Sequence, residues 1–328
     1  MKKDIPILEG KEVAIGYKTG KNFNLVADKI SFTLPSGRLT CLLGPNGVGK
    51  STLIKAILGQ VMPIKGEILY QGVAIRKFNP KELAKKISVV LTDRVSSGNL
   101  TVHQLVALGR IPFTNWLGTL SEPDEKTVEE AIKATKIGYL RGKRISEISD
   151  GQLQKVMIAR ALAQDGELMI LDEPTAHLDL VNRFEIMHLL RSIAQTQQKA
   201  ILVVTHDLDI AIETADEFWL MPFEGPLVTG RPEDLILSGQ ISQLLPTDQL
   251  HFSPATGKIQ FSVPQEYPQI NGPEEVVQWL KLALRKNGVI LGNHVKITAY
   301  KDPVYFWVEK GDKGAKVSSI EEILQELI

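Results

Sequence analysis

The sequence predicts an α/β protein: a largely parallel sheet with an added antiparallel portion, followed by a small α+β appendix. Three observations carry this. Residues 39–43 form an apolar run that breaks at a glycine-rich stretch and passes into a helical pattern, with Leu53, Ile54, Ile57 and Leu58 on one face. Two further runs, Leu168-Met169-Ile170-Leu171 and Ala200-Ile201-Leu202-Val203-Val204, are apolar at every position and flank a helical stretch at 180–195. Strands apolar on both faces belong to a buried parallel sheet, and a strand–helix–strand unit is a right-handed crossover. Past about residue 235 the pattern changes to short strands with proline-bearing connections.

The elements follow in order. Residues 13–17, 23–26, 30–34 and 39–43 read as strands separated by turn signals such as Gly20 and Pro35-Ser36-Gly37. After the helix ending at Gly59 come a strand at 66–70, a helical segment at 80–86 and a strand at 87–91. Thr101 and Gln104 form a capping-box pattern for a helix whose apolar face is Val102, Leu105, Val106 and Leu108. Helical pattern returns at 124–135 and again near Gly151, with Leu153, Val156, Met157 and Leu162 inward. Residues 250–253 and 258–262 read as a hairpin, and Pro264, Pro268 and Asn271-Gly272-Pro273 as a linker. Pro273 suits the first position of a helix bearing Val276, Val277, Leu280, Ala283 and Leu284. Strands at 295–300 and 304–308 follow, and Ser319 with Glu322 caps a last helix at 320–328. The expected organisation is therefore 1–235, a hairpin and linker at 236–270, and 271–328 as a small domain in which no catalytic motif is found.

Composition narrows the function classes. The 328 residues carry 38 Lys+Arg against 38 Asp+Glu, so net charge is zero, and 43% are hydrophobic. That excludes overall disorder and argues against binding nucleic acid through whole-chain charge. The lone Cys41 excludes an intramolecular disulfide and a cysteine-rich metal site, and suits a reducing cytosol. No window approaches the roughly 20 apolar residues of a membrane span, and no signal peptide is visible; docking on a membrane protein stays open.

Gly44-Pro45-Asn46-Gly47-Val48-Gly49-Lys50-Ser51 fits G-x-x-x-x-G-K-[ST], with the strand before and helix after that the motif requires. Such a loop curls so that backbone N–H groups and a helix N-terminus face one phosphate cluster. Lys50 would reach the β/γ-phosphates, and the Ser51 hydroxyl would ligate Mg²⁺. Asp172-Glu173-Pro174 closes the apolar run at 168–171, and carboxylates at the end of a buried parallel strand face the ligand crevice. Asp172 can hold Mg²⁺, and Glu173 can orient and deprotonate the attacking water. His206 follows the next buried strand, which puts it at the same sheet edge, within reach of the γ-phosphate or the water. Ser149-Asp150-Gly151-Gln152 opens another helix. It is either an ordinary N-cap or a second anion cradle, which makes sense if it serves a nucleotide held by another copy of the chain.

The set resembles the ATP-binding-cassette (ABC) ATPases over residues 1 to about 235: a P-loop NTPase fold with antiparallel β and helical subdomains. Residues 44–52, Thr52 included, match Walker A; 148–152 match the signature, with Asp150 where the family has glycine; 168–173 match Walker B. His177-Leu178-Asp179 looks like the D-loop, His206 like the switch histidine, and Tyr17 lies where the family stacks an aromatic on adenine. The resemblance implies ATP and Mg²⁺ held by Tyr17, Gly44, Asn46, Gly47, Gly49, Lys50, Ser51 and Thr52, with Asp179 also in the binding set and the signature residues Ser149, Gly151 and Gln152 of a second copy completing the site. Glu173, His206 and Lys50 would be catalytic. Leu91-Thr92-Asp93 stands where the family has its Q-loop glutamine, and Asp93 would take that place at the metal. The stretch from Leu100 to Pro112, with Val102, Leu105-Val106-Ala107-Leu108-Gly109-Arg110, resembles the branch importing iron–siderophore, haem and cobalamin. That branch implies permease subunits as partners, with Phe113 and Trp116 as docking anchors, an indirect link to a substrate-binding protein, no nucleic acid, and a place on the cytoplasmic face of the membrane. The rivals are a soluble non-transport ABC ATPase, which lacks support because neither a coiled-coil insertion nor a tandem cassette is present, and a P-loop small-molecule kinase, which predicts no signature.

Overall fold

The computed structural model describes residues 5–19, 22–91, 99–116, 118–245, 247, 250–254, 256–261, 267, 269–292, 294–311 and 313–327. It divides the chain into two compact units: 1–247 with 252–259, and 248–251 with 260–328.

The first unit opens with two long strands, β1 (Leu8–Thr19) and β2 (Asn22–Leu34), then β3 (Leu39–Leu43) and helix α1 (Lys50–Ile57). Short β4 (Lys65–Tyr70) and β5 (Val73–Ala74) follow, then α2 (Pro80–Ala84) and β6 (Ile87–Val90). Three helices come next: α3 (Val102–Ala107), α4 (Glu122–Ala134) and α5 (Asp150–Ala163). β7 (Leu168–Asp172), α6 (Leu180–Gln197), β8 (Ala200–Val204), α7 (Leu208–Thr214), β9 (Glu217–Leu220), β10 (Val228–Gly230) and α8 (Pro232–Leu237) complete the alternation.

Two sheets result. A six-stranded sheet has the order β10-β9-β3-β8-β7-β6, parallel except for β10, and a four-stranded antiparallel sheet has the order β2-β1-β4-β5. The apolar runs explain themselves here. In β7, Met169 and Leu171 face the helices α3 to α7, while Leu168 and Ile170 face α1 and the antiparallel sheet. β8 does the same with Ile201 and Val203 against Ala200, Leu202 and Val204. Both faces are dry, so neither strand carries a polar alternation. Phe32 of the antiparallel sheet meets Trp219 of β9 with ring centroids 4.5 Å apart, closing the layer.

The helical layer is pinned by polar contacts as well. Thr101 and Gln104 make the expected reciprocal capping box at α3. Buried Arg110 donates to Asp124 at 2.8 Å and to the Ala163 carbonyl at 2.9 Å, joining the ends of α3, α4 and α5. Among the described residues no helix is long and apolar enough to cross a membrane.

β11 (Leu250–Ser253) and β12 (Lys258–Phe261) form the expected hairpin. The second unit contains β13 (Ile270–Asn271), α9 (Glu274–Lys286), β14 (Val295–Lys301), β15 (Val304–Lys310), β16 (Lys313–Val317) and α10 (Ile320–Leu327). Its sheet runs β13-β14-β15-β16, the first pair parallel and the rest antiparallel, over a core that includes Leu280, Leu284, Ile297, Phe306 and Ile323.

Several expectations are revised. Residues 23–26 and 30–34 are one strand, because pairing with β1 continues across Ala27 and Ile30. The first unit runs past residue 235: Leu235, Ile241 and Phe252 are buried in its helical-side core. Leu108 is exposed, since α3 tightens into a 3₁₀ turn at 108–110 that rotates it outward. Pro273 caps α9 instead of starting it. The cap at α10 is half of the expected box: Ser319 accepts from the Glu322 N–H at 3.2 Å, but the Glu322 carboxylate takes the Ser318 N–H. β9, β10, α7, α8 and β16 answer to no apolar periodicity described above; β10 and β16 are short and rich in small or charged residues.

Candidate functional site

Three parallel strands bring the motif residues to one edge. β3, β7 and β8 lie in register, with Leu42 beside Val204 and Val204 beside Asp172. The loop after β3, the carboxylates after β7 and His206 after β8 therefore meet at the carboxyl ends of the strands, where open α/β sheets bind ligands.

A cleft of about 460 Å³ occupies that edge. Asn46, Gly47, Gly49, Lys50, Ser51 and Thr52 form one wall, Asp172, Glu173 and Val204 the other, and Tyr17 and Val26 the rim. Gly47 and Gly49 hold φ of 86° and 110°, in the left-handed region that favours glycine, and a Cβ on Gly49 would stand 2.6 Å from Val26 Cγ1. The loop can thus pass tightly beneath β2 and start α1 directly. α1 has no side-chain N-cap and no acidic residue in its first turn, so its N-terminal N–H groups are kept for an anion.

The charges of the cleft act on one another. Lys50 is buried, and its ammonium donates to the carbonyls of Gly44 at 2.6 Å and Pro45 at 2.9 Å. Burial pulls the Lys50 pKa down, and the Glu173 and Asp172 carboxylates oppose that shift. Burial likewise pushes Asp172 up, with Lys50 opposing. A half-buried cleft holding one ammonium and two carboxylates is suited to a ligand that carries both phosphate and a divalent cation.

Glu173 and His206 form a pair. His206 Nδ1 lies 2.9 Å from the Glu173 carboxylate. Glu173 has φ 49°, an uncommon conformation for its type, and its N–H donates to the Val204 carbonyl at 2.9 Å. The backbone of β8 therefore holds the turn that aims this carboxylate, while His206 itself stays largely exposed.

Tyr17 sits at the rim, 41% exposed, and its hydroxyl shares a 3.0 Å hydrogen bond with Thr52 Oγ1. That bond fastens the side chain to the first turn of α1.

Ser149, Gly151, Gln152 and Asp179 are absent from the cleft lining. Ser149 caps α5, accepting from the Gln152 N–H at 3.3 Å while Gln152 Oε1 takes the Ser149 N–H at 3.1 Å. A hydroxyl that accepts still has its own proton to donate. Gly151 packs on Asn182: a Cβ there would stand 2.7 Å from Asn182 Oδ1. Asp179 caps α6 through the Asn182 N–H at 2.8 Å and holds Asn182 Nδ2 at 2.8 Å. Those bonds draw the exposed Asp179 carboxyl below its usual range. Signature and D-loop are thus joined to each other, away from this chain's own cleft. Asp93 lies outside the described residues.

Mg²⁺ takes oxygen ligands and usually keeps waters, using one or two protein groups beside substrate phosphates. Ser51 and Asp172 are such a pair of hard oxygens on one cleft. The residues present fit that ion.

Sequence reasoning missed Thr175, Asn182, Arg183 and Asp207, which surround the Glu173–His206 pair and Asp179. Arg183 and Asp207 are 24 positions apart and Thr175 and Asp207 are 32 apart, so no local pattern announces those contacts; Asn182 meets Asp179 only three positions away, an N-cap spacing that the sequence does carry.

Comparison with known proteins agrees with this geometry. A family model described as "ABC transporter" matches residues 27–176. The chain is 38% identical over 251 residues to an uncharacterized ABC transporter ATP-binding protein of Methanocaldococcus jannaschii, covering 76% of this chain and 85% of that protein. It is 32% identical over 249 residues to the ferric enterobactin transport ATP-binding protein of Escherichia coli, covering 74% and 89%. A solved metal-chelate type ABC transporter in an inward-facing conformation superposes with a TM-score of 0.62 at 27% identity, covering 73% of this chain and 88% of that one.

Proposed function

The chain belongs to the ATP-binding proteins of ABC transporters, and on that premise we propose that it is the ATP-hydrolysing subunit of an importer for an iron complex, a siderophore or haem, or a related metal chelate. The observation that carries the ATPase reading is the meeting of Lys50, Ser51, Asp172 and Glu173 on one cleft at the strand ends. The cargo reading rests on the relatives and on the stretch from Leu100 to Pro112.

Two copies would sandwich two ATP molecules, each between the cleft of one chain and Ser149, Gly151 and Gln152 of the other. The absence of those residues from the chain's own cleft supports this arrangement. Tyr17 would hold the adenine, residues 44–52 the phosphates, and Ser51 with Asp172 the Mg²⁺, which supplies charge neutralisation when bound. Glu173 would take a proton from the attacking water as its oxygen bonds to the γ-phosphorus and the bond to the ADP oxygen breaks. His206, with Nδ1 2.9 Å from that carboxylate, would hold it in place. Lys50 stabilises the charge of the transferring group.

Exposed apolar residues of the helical layer fit a docked permease. Ile111 is 58% exposed, Trp116 is 92% exposed, and Phe113 lies with Arg110 4.0 Å above its ring. Aromatic residues on such a surface are suited to anchor a partner. The chain would then work at the cytoplasmic face of a membrane.

The test is ATP-driven uptake. Tagged full-length chain is purified from membranes, and a retained polytopic protein is reconstituted with it into liposomes together with a ferric siderophore. ATP-dependent iron accumulation that Glu173→Gln abolishes is the expected result. ATPase activity with no membrane protein retained and no uptake favours a non-transport ABC ATPase.

A further inference from the structure

The turn that carries His206 is tied to the start of α6 by a residue outside every motif. Asp207 stands at the N-terminal boundary of α7, where an aspartate ordinarily caps the helix, yet its side chain makes no cap bond. It is turned instead towards the segment preceding α6. Buried Thr175 donates to its Oδ2 at 2.9 Å, and Arg183 Nη1 lies 3.4 Å from Oδ1 and 3.5 Å from Oδ2. The same guanidinium donates through Nε to the Leu178 carbonyl at 2.8 Å. One rigid, always-charged fork therefore spans the residue before Asp179 and the residue after His206.

The backbone on both sides needs such a tie. Glu173 and His177 hold φ of 49° and 65°, so the segment from the catalytic carboxylate to the D-loop contains two residues in the left-handed region. Conformations of this kind persist only where surrounding contacts over-determine them. Arg183 supplies two of those contacts, at Leu178 and Asp207. His206 is largely exposed, and its ring meets Glu173 at 2.9 Å and Asp207 Oδ1 at 3.8 Å; the anchored Asp207 thus restrains both the ring and the adjoining backbone.

We infer that Arg183 is a positioning residue for hydrolysis: through Asp207 it holds His206 at Glu173, and through the Leu178 carbonyl it ties that placement to the D-loop. Asp179 would face the second copy, so closure of the two copies is felt at His206 through the guanidinium. This rests on the ATPase reading above.

The test uses the full chain carrying Arg183→Ala, Arg183→Lys or Asp207→Asn, each also in a His206→Ala background. Arg183→Ala is expected to lower kcat by about 10- to 100-fold, the scale of a misplaced catalytic group. The Kd for a fluorescent ATP analogue should stay within about threefold, because Arg183 does not line the cleft. Asp207→Asn should follow Arg183→Ala, and Arg183→Lys should recover part of the loss. In the His206→Ala background Arg183→Ala should add nothing further. A kcat unchanged in Arg183→Ala, or losses that multiply in the double variant, would overturn the inference. A kcat loss accompanied by an equal loss of nucleotide affinity or by a collapsed melting transition would assign Arg183 to general stability and overturn it as well. If the unaltered chain does not hydrolyse ATP, the ATPase reading fails first.

Discussion

The hydroxyl of Tyr17 lies 3.0 Å from Thr52 Oγ1, so the aromatic ring at the rim of the cleft is fastened to the phosphate-loop helix by its own polar tip. This separates two roles that one side chain could play. If the ring stacks on adenine, Tyr17→Ala should weaken nucleotide binding by roughly tenfold, within the 1–3 kcal/mol of base–aromatic stacking. Tyr17→Phe keeps the ring and loses one neutral hydrogen bond, worth about 1 kcal/mol at most to ring placement. Its affinity should stay within about threefold. Titration of a fluorescent ATP analogue checks both, and an unchanged Tyr17→Ala would remove Tyr17 from the binding site.

Glu173→Gln should retain ATP binding while hydrolysis falls by about 10²- to 10⁴-fold, the usual contribution of a positioned proton acceptor. With Mg²⁺ and ATP the variant should shift towards dimer on gel filtration, because the closed sandwich can no longer be discharged. His206→Ala should impair hydrolysis with binding intact. Equal loss of binding and turnover in either variant would contradict the assignment.

Gly151→Ala is predicted to act at a distance from its own chain's cleft. The added Cβ would stand 2.7 Å from Asn182 Oδ1, and Asn182 cannot simply swing away because Asp179 holds its amide. Turnover should fall on the order of tenfold from displaced signature and D-loop groups, while nucleotide binding to the dilute single chain is retained. Binding lost in dilute solution would place Gly151 in its own chain's site.

The Arg110–Asp124 pair should mark the acid limit of the helical layer. Hydrogen bonds from Ser121, with the Arg110 guanidinium adding to them, hold the Asp124 carboxyl down at about 2 against an ordinary 3.8. A folded-state pKa below the unfolded one contributes stability that is complete above pH 3.8 and is lost as pH falls towards 2. Asp124→Ala should destabilise the unit by about 3 kcal/mol at neutral pH, because it strands a buried guanidinium. Thermal melts of both proteins from neutral pH downward should converge as pH approaches about 2; a constant gap would refute the linkage.

Cys41 is fully buried in β3, and burial, with Asp216 adding to it, pushes its thiol far above the ordinary value. Thiolate reagents should leave it unlabelled in the native chain and label it on unfolding. Rapid native labelling followed by mass spectrometry would show that β3 opens.

The features readable in the sequence are those whose physics is local. The phosphate loop at Gly44 to Ser51 is contiguous, and its glycines are required by the turn itself. The runs at 168–171 and 200–204 show burial on both faces directly, because each strand position must then be apolar. Pairs separated by long stretches of chain had no such signature: Tyr17 with Thr52, Glu173 with His206, Arg183 with Asp207. Ser149 illustrates the difference. Its local pattern is the same for a plain N-cap and for a phosphate cradle, and it does make the N-cap bonds. Its absence from the chain's own cleft, which supports a role towards a second copy, follows from how α5 packs. Short periodicity reports which face a residue turns inward; which residue it meets there is set by packing the sheet order β9-β3-β8-β7, and that order depends on burying all the apolar faces at once.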